Sequence, residues 1–126
     1  FPAWSPNGRW IAFALEDSEG ADIGIVDATG ASPSERVTRT HNAYFARWVR
    51  GNELAVSGTW GGPHLVVRRV SLTGSTDLTR PPLAEIGPPL LQFTSKVFDI
   101  SPDGRYVVFS SARRSGDIWI SEAVRR

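Results

Sequence analysis

Short apolar runs alternate along the chain with reversals marked by Gly, Pro and Asx residues, at intervals that suit strands. Residues 10–15 (WIAFAL) and 106–109 (YVVF) are apolar at successive positions, so both faces of each predicted strand need cover. No window holds a sustained 3.6-residue apolar rhythm, and no helix is expected. Strands are expected at 1–4, 10–15, 23–26 and, more polar and hence at an edge, 35–38. A second set is expected at 44–48, 53–57, 65–71 and 76–79, and a third at 97–100, 106–110 and 118–121. Residues 80–94 hold two Pro-Pro pairs, which cannot sit inside a ladder, and read as an extended connection with room for a short strand at 90–93. After residue 121 too little sequence remains for a fourth strand in the third set.

The pattern repeats. Ser5 to Phe13 (SPNGRWIAF) is echoed by Ser101 to Phe109 (SPDGRYVVF), with five of nine positions identical. Each copy reads as an Asx-Gly turn feeding a strand, the turn supplying the positive φ that a short reversal needs. Trp4 and Trp48 lie 44 residues apart, as do Gly30 and Gly74, while Val37-Thr38-Arg39 and Leu78-Thr79-Arg80 are 41 apart. The middle copy has VRGN in place of the Ser-Pro-Asx-Gly turn and is a residue shorter there. Units of about 1–42, 43–94 and 95–126 follow, with an insertion of roughly eight residues before the third.

A period near 40 to 45 residues, four strands to a unit and cover on both faces fit blades of a β-propeller better than a two-layer sandwich. The expected class is therefore all-β: blades of four-stranded antiparallel sheets, three consecutive repeats of an incomplete propeller. Propellers close with roughly four to eight blades, so three leave the ring open. Either the remaining blades of a longer chain or a second copy of this one is needed to close it.

Composition narrows the partners. The 126 residues carry a formal net charge of +1 with acids and bases interspersed, so there is no basic stripe to bind nucleic acid. No apolar run reaches membrane-spanning length, and with no Cys there is neither a disulfide nor a thiolate metal site.

The segments Trp4-Ser-Pro-Asn-Gly-Arg-Trp-Ile-Ala-Phe13 with Asp22-Ile-Gly-Ile-Val-Asp27, and Ser101-Pro-Asp-Gly-Arg-Tyr-Val-Val-Phe109 with Asp117-Ile-Trp-Ile120, resemble the TolB-like propeller repeat, a relative of the WD-type repeat. The resemblance covers most of the first and third units and is weaker across the second. It implies a non-catalytic scaffold that binds a protein or peptide, in a bacterial periplasmic or extracytoplasmic setting. Other members of the family imply two alternatives: the gating propeller of a prolyl-oligopeptidase-type serine peptidase, whose catalytic domain would lie outside this sequence, or the sensor propeller of a bacterial kinase or regulator.

Catalytic motifs are absent: there is no Gly-x-Ser-x-Gly elbow, phosphate-cradling loop, His-Glu-x-x-His or EF-hand. No cofactor is expected. Residues 16–19 (EDSE) are acidic but lack calcium-ligand spacing, and read as a solvated hairpin loop. His41 and His64 lack a third metal ligand. Asp22 and Asp117 precede equivalent strands and are expected to accept backbone N–H groups or pair with a neighbouring turn. In an up-and-down unit, the loops before the first strand and between the second and third lie at one rim. That rule gathers His41, Asn42, Tyr44, Trp60, His64, Arg113 and Arg114 as a candidate contact surface, with ordinary loop residues as the plainer alternative.

Overall fold

The computed structural model describes residues 2–87, 94–111 and 117–123, which form eleven strands and no helix. The first sheet is β1 (Ala3–Trp4), β2 (Trp10–Asp17), β3 (Gly20–Asp27) and β4 (Glu35–Arg36), hydrogen-bonded in that order. The second repeats the plan with β5 (Ala43–Arg50), β6 (Glu53–Gly58), β7 (Leu65–Ser71) and β8 (Ala84–Gly87). The third has three strands among the described residues: β9 (Thr94–Ile100), β10 (Tyr106–Ser111) and β11 (Asp117–Glu122). Every pairing within these sheets is antiparallel.

The two Ser-Pro-Asx-Gly turns are built from the same bonds. In the first, Gly8 N–H donates to the Ser5 carbonyl at 2.9 Å, Trp10 N–H to Ser5 Oγ at 2.9 Å, and Arg9 N–H to Asn7 Oδ1 at 3.0 Å. In the second, the matching distances for Gly104, Tyr106 and Arg105 are 2.8, 2.9 and 3.0 Å. Positive φ falls on the glycine alone, +71° at Gly8 and +69° at Gly104, and neither Asn7 nor Asp103 shares it. This corrects the expectation for the Asx residue. It acts through its side-chain oxygen, which holds the N–H two residues on, while Pro presets the first corner.

Stacking explains the apolar runs. β5 lies against β1, β2 and β3, while β9 lies against β5 and β6. Along β6, Leu54 and Val56 enter the cluster with Ala12, Ile23 and Ile25, whereas Ala55 enters the cluster with Phe98, Val107 and Phe109. The central sheet is thus buried on both faces. At each full burial of a Leu, Val or Ile, about 1.5–3 kcal/mol of apolar transfer is gained. Each outer sheet meets a described sheet on one face only: on β10, Val107 is fully buried while Tyr106 and Val108 are each 38% exposed. Two-sided cover, expected for WIAFAL and YVVF, is therefore realised only where a described sheet stands on each side.

Consecutive units also touch at their first turns. A Cβ at Gly51 would lie 3.7 Å from Asn7 Nδ2, and one at Gly104 would lie 3.6 Å from Val49 Cγ1. Trp48 Nε1–H crosses the first seam to the Ala3 carbonyl at 2.8 Å. Trp4, the same position one unit earlier, is 63% exposed.

The fourth strand of the second unit is displaced from its expected place. Residues 76–79 are not a strand, because Asp77 Oδ1 accepts both the Thr79 N–H at 3.0 Å and the Thr79 hydroxyl at 2.6 Å, curling the backbone away from a ladder. Pairing starts beyond Pro81-Pro82, where Leu83 N–H reaches the Val67 carbonyl at 2.7 Å and Ala84 and Ile86 become buried. The stretch expected to be only a connection therefore holds β8. The short strand expected at 90–93 lies outside the described residues. In the first unit β4 is only two residues long, since both Val37 and Thr38 N–H groups turn in to the Ile23 carbonyl.

Candidate contact rim and its buried carboxylate

The link from β4 to β5 is fastened to a loop on each side. Ala21 N–H donates to the His41 carbonyl at 3.1 Å, and Thr59 N–H donates to the Asn42 carbonyl at 3.1 Å. The Tyr44 hydroxyl donates to Asn42 Oδ1 at 3.0 Å. A Cβ at Gly58 would fall 2.6 Å from the Asn42 carbonyl oxygen and 3.3 Å from Trp60 Nε1, so only glycine lets these parts meet. His41, Asn42, Tyr44 and Trp60 are thereby brought together at one rim. His64 is not joined to them: its Nδ1 contacts Glu85 Oε1 on β8. Arg113 and Arg114 lie outside the described residues.

Asp22 organises this link. Its carboxylate is fully buried and accepts the Thr38 hydroxyl at 2.7 Å, the Thr40 N–H at 2.9 Å, the His41 N–H at 3.2 Å and Arg36 Nη1 at 2.8 Å. Arg36 also reaches Asp17 Oδ2 with Nη2 at 3.1 Å. The Glu19 backbone N–H, followed by Arg36, lowers the Asp17 pKa below the ordinary carboxylate value. Gly20 is required beneath the link, because a Cβ there would lie 2.0 Å from the His41 carbonyl oxygen.

Two non-glycine residues among those described have positive φ, His41 at 60° and Trp60 at 53°, and both sit on this rim. Each also holds a buried ring nitrogen that makes no hydrogen bond among the described residues, Trp60 Nε1 and His41 Nδ1, the latter 3.5 Å from Asp22 Oδ2. Left-handed backbone at such residues costs roughly 1–3 kcal/mol and persists where the surroundings enforce it. Here the enforcing contacts are the Asp22 bonds and the close passage over Gly20 and Gly58.

Asp17, Glu19 and His41 bring one ligand atom each within 4.8 Å of one another. His41 Nε2 is 3.5 Å from Glu19 Oε2. The acidic loop therefore has the span a small cation requires once His41 joins it, although Arg36 already supplies positive charge to Asp17. His64 belongs to no such group among the described residues. Sequence reasoning missed this convergence because the β4–β5 link folds back over a turn some twenty residues earlier. The repeated Thr-Arg pairs were the available signal for the neighbouring cleft, a cavity of about 230 Å³ at the first seam that includes Arg39, Trp60 and Leu78. A second cleft of about 200 Å³ is lined by Arg68, Arg69 and Arg80 together with Glu53 and Asp77.

No protein-family model matches the chain, and no curated protein matches it. Among solved structures it is similar to TolB from Acinetobacter baumannii, with a TM-score of 0.68 and 18% identity over 96% of this chain and 29% of that one. The fold is TolB-like. It is an all-β arrangement of propeller-type sheets that do not close into a ring among the described residues. It is also similar to the AtxE2 isopeptidase in its apo form, with a TM-score of 0.51 and 16% identity over 87% of this chain and 20% of that one. The chain spans less than a third of the length of either. Among the described residues no helix is long and apolar enough to cross a membrane.

Proposed function

We propose that this chain is a section of a non-catalytic, TolB-like propeller that binds a protein or peptide through the rim carrying His41, Asn42, Tyr44 and Trp60. The observation that supports it is the coincidence there of two left-handed non-glycine residues, each with a buried ring nitrogen that makes no hydrogen bond among the described residues, His41 Nδ1 standing 3.5 Å from Asp22 Oδ2. Strain of this kind gathers at ligand clamps, and aromatic side chains dominate binding hot spots. By sequence position, Arg113 and Arg114 extend this surface as the third-unit counterparts of Trp60, and His64 borders it. The setting proposed is bacterial and extracytoplasmic, with further blades of the same protein completing the ring.

The test is a double variant, Trp60→Ala with Tyr44→Ala, examined by photo-crosslinking from Asn42 in the native host. The expected result is loss of the crosslinked partner with an unchanged circular-dichroism spectrum. An undiminished crosslink removes these residues from the contact. The likeness to an isopeptidase favours a second reading, a propeller that gates a peptidase domain. A Gly-x-Ser-x-Gly elbow elsewhere in the same reading frame supports that reading, whereas a kinase or DNA-binding domain there supports a sensor.

A further inference from the structure

The cleft at the first seam lies beside the rim, and its lining is mostly apolar. Thr38, Arg39 and Thr40 form one wall, while Trp60, Thr76 and Leu78 form the other. At about 230 Å³ it is smaller than the pockets of roughly 300–1,000 Å³ that enclose whole small molecules. Its size suits one residue of a partner. Both apolar elements are set in place beforehand: Trp60 by its left-handed backbone against Gly58, and Leu78 by the Asp77–Thr79 turn on either side of it. Leu78 nevertheless stands 57% exposed. An aliphatic side chain laid between it and the indole would take both out of water, the main favourable term available to a shallow site.

Charge selects the second feature of the ligand. Arg39 is exposed and makes no ion pair or hydrogen bond with the described residues, whereas Arg36, Arg47, Arg69 and Arg105 each meet a carboxylate. Asp22, which accepts the N–H of Thr40, the residue after Arg39, is already engaged by Arg36 and the link, and Asp77, next to Leu78, by Thr79. A guanidinium with its fork open at the mouth of an apolar cleft matches a carboxylate next to an aliphatic side chain. Arg39 lines the same one-residue cleft as Trp60 and Leu78, so the carboxylate and the aliphatic side chain belong to one residue. Building on the contact-rim reading, we infer that the seam cleft takes the C-terminal aliphatic residue of a partner chain, whose terminal carboxylate pairs with Arg39.

The probes are N-acetyl-leucine, N-acetyl-leucine amide and N-acetyl-Leu-Glu amide, titrated by saturation-transfer NMR into the protein that contains this chain. N-acetyl-leucine is expected to bind about two- to five-fold more tightly than its amide, the scale of an exposed ion pair, and the preference is expected to shrink at high salt. N-acetyl-Leu-Glu amide is expected to show no such preference over N-acetyl-leucine amide, and a gain as large as that of N-acetyl-leucine overturns the terminal assignment. Arg39→Gln is expected to erase the preference for the acid, and Leu78→Ser to weaken acid and amide alike. Neither exposed residue holds the fold, so an unchanged melting temperature accompanies both. Equal binding of acid and amide, or no binding by either, overturns the inference. Tyr44→Ala separates the two readings, because Tyr44 belongs to the rim and does not line the cleft: partner loss with N-acetyl-leucine binding intact is the expected pattern, and partner retention with intact binding sinks the rim reading alone.

Discussion

Asp22 shows how much a single side chain can govern. A carboxylate sealed from water is tolerated only when its lone pairs are used, and here the Thr38 hydroxyl, the Thr40 and His41 N–H groups and the Arg36 guanidinium do so. Asp22→Ala strands these donors together and leaves Arg36 with Asp17 as its remaining carboxylate. The expected cost is about 3 kcal/mol or more, read as a drop in chemical-denaturation midpoint, with protease sensitivity rising at residues 38–42. A shift below 1 kcal/mol contradicts the assigned role. The importance of Asp22 was visible in the sequence only as a position repeated at Asp117. Its partners were not, because Arg36, Thr38 and His41 reach it from 14 to 19 residues away, through a link whose path depends on the stacking of two sheets.

At the scale of an element, the Ser-Pro-Asx-Gly hairpin is the most self-contained piece. Its bonds run among residues at most five apart, so the sequence alone specifies it. At Gly104 a Cβ would meet only Val49 Cγ1 and Arg69 Nη2, at 3.6 and 3.8 Å, and at Gly8 nothing within 4 Å. The penalty for Gly104→Val therefore comes from φ, about 1–2 kcal/mol, and Gly8→Val is expected to lose a similar amount. A melting temperature unmoved in both variants would rule out the left-handed glycine as the source. The strand β8 shows the opposite case. AEIG is short, follows two prolines and has no repeat mark, so nothing local distinguishes it from a linker. It becomes a strand because β7 offers an open edge and a cluster for Ala84 and Ile86. The candidate rim was legible in part for a related reason: strand order places loops, but not the turn that carries Glu19 against His41.

Across the whole molecule, three turns contribute to the same pH dependence. The pKa of Asp27 is lowered first by the Thr29 hydroxyl, that of Asp77 first by the Thr79 hydroxyl, and that of Asp17 first by the Glu19 N–H. A carboxyl held below its unfolded value, near 3.9, stabilises the folded chain above that pH and loses its contribution as pH falls through the folded value. The melting temperature is therefore expected to decline on acidification below about pH 4. Asp27→Asn with Asp77→Asn is expected to flatten that limb, and an identical acid limb in the double variant would exclude these turns as its origin.

The bond from Trp48 to Ala3 fastens the second sheet to the first, as a hook is caught in an eye. Trp4, 44 residues earlier, is a hook with nothing caught among the described residues, and its indole is largely open to solvent. A neighbour that repeated the seam there would have to bring a flat oily face and one main-chain oxygen within reach of that ring nitrogen, as Ala3 does for Trp48.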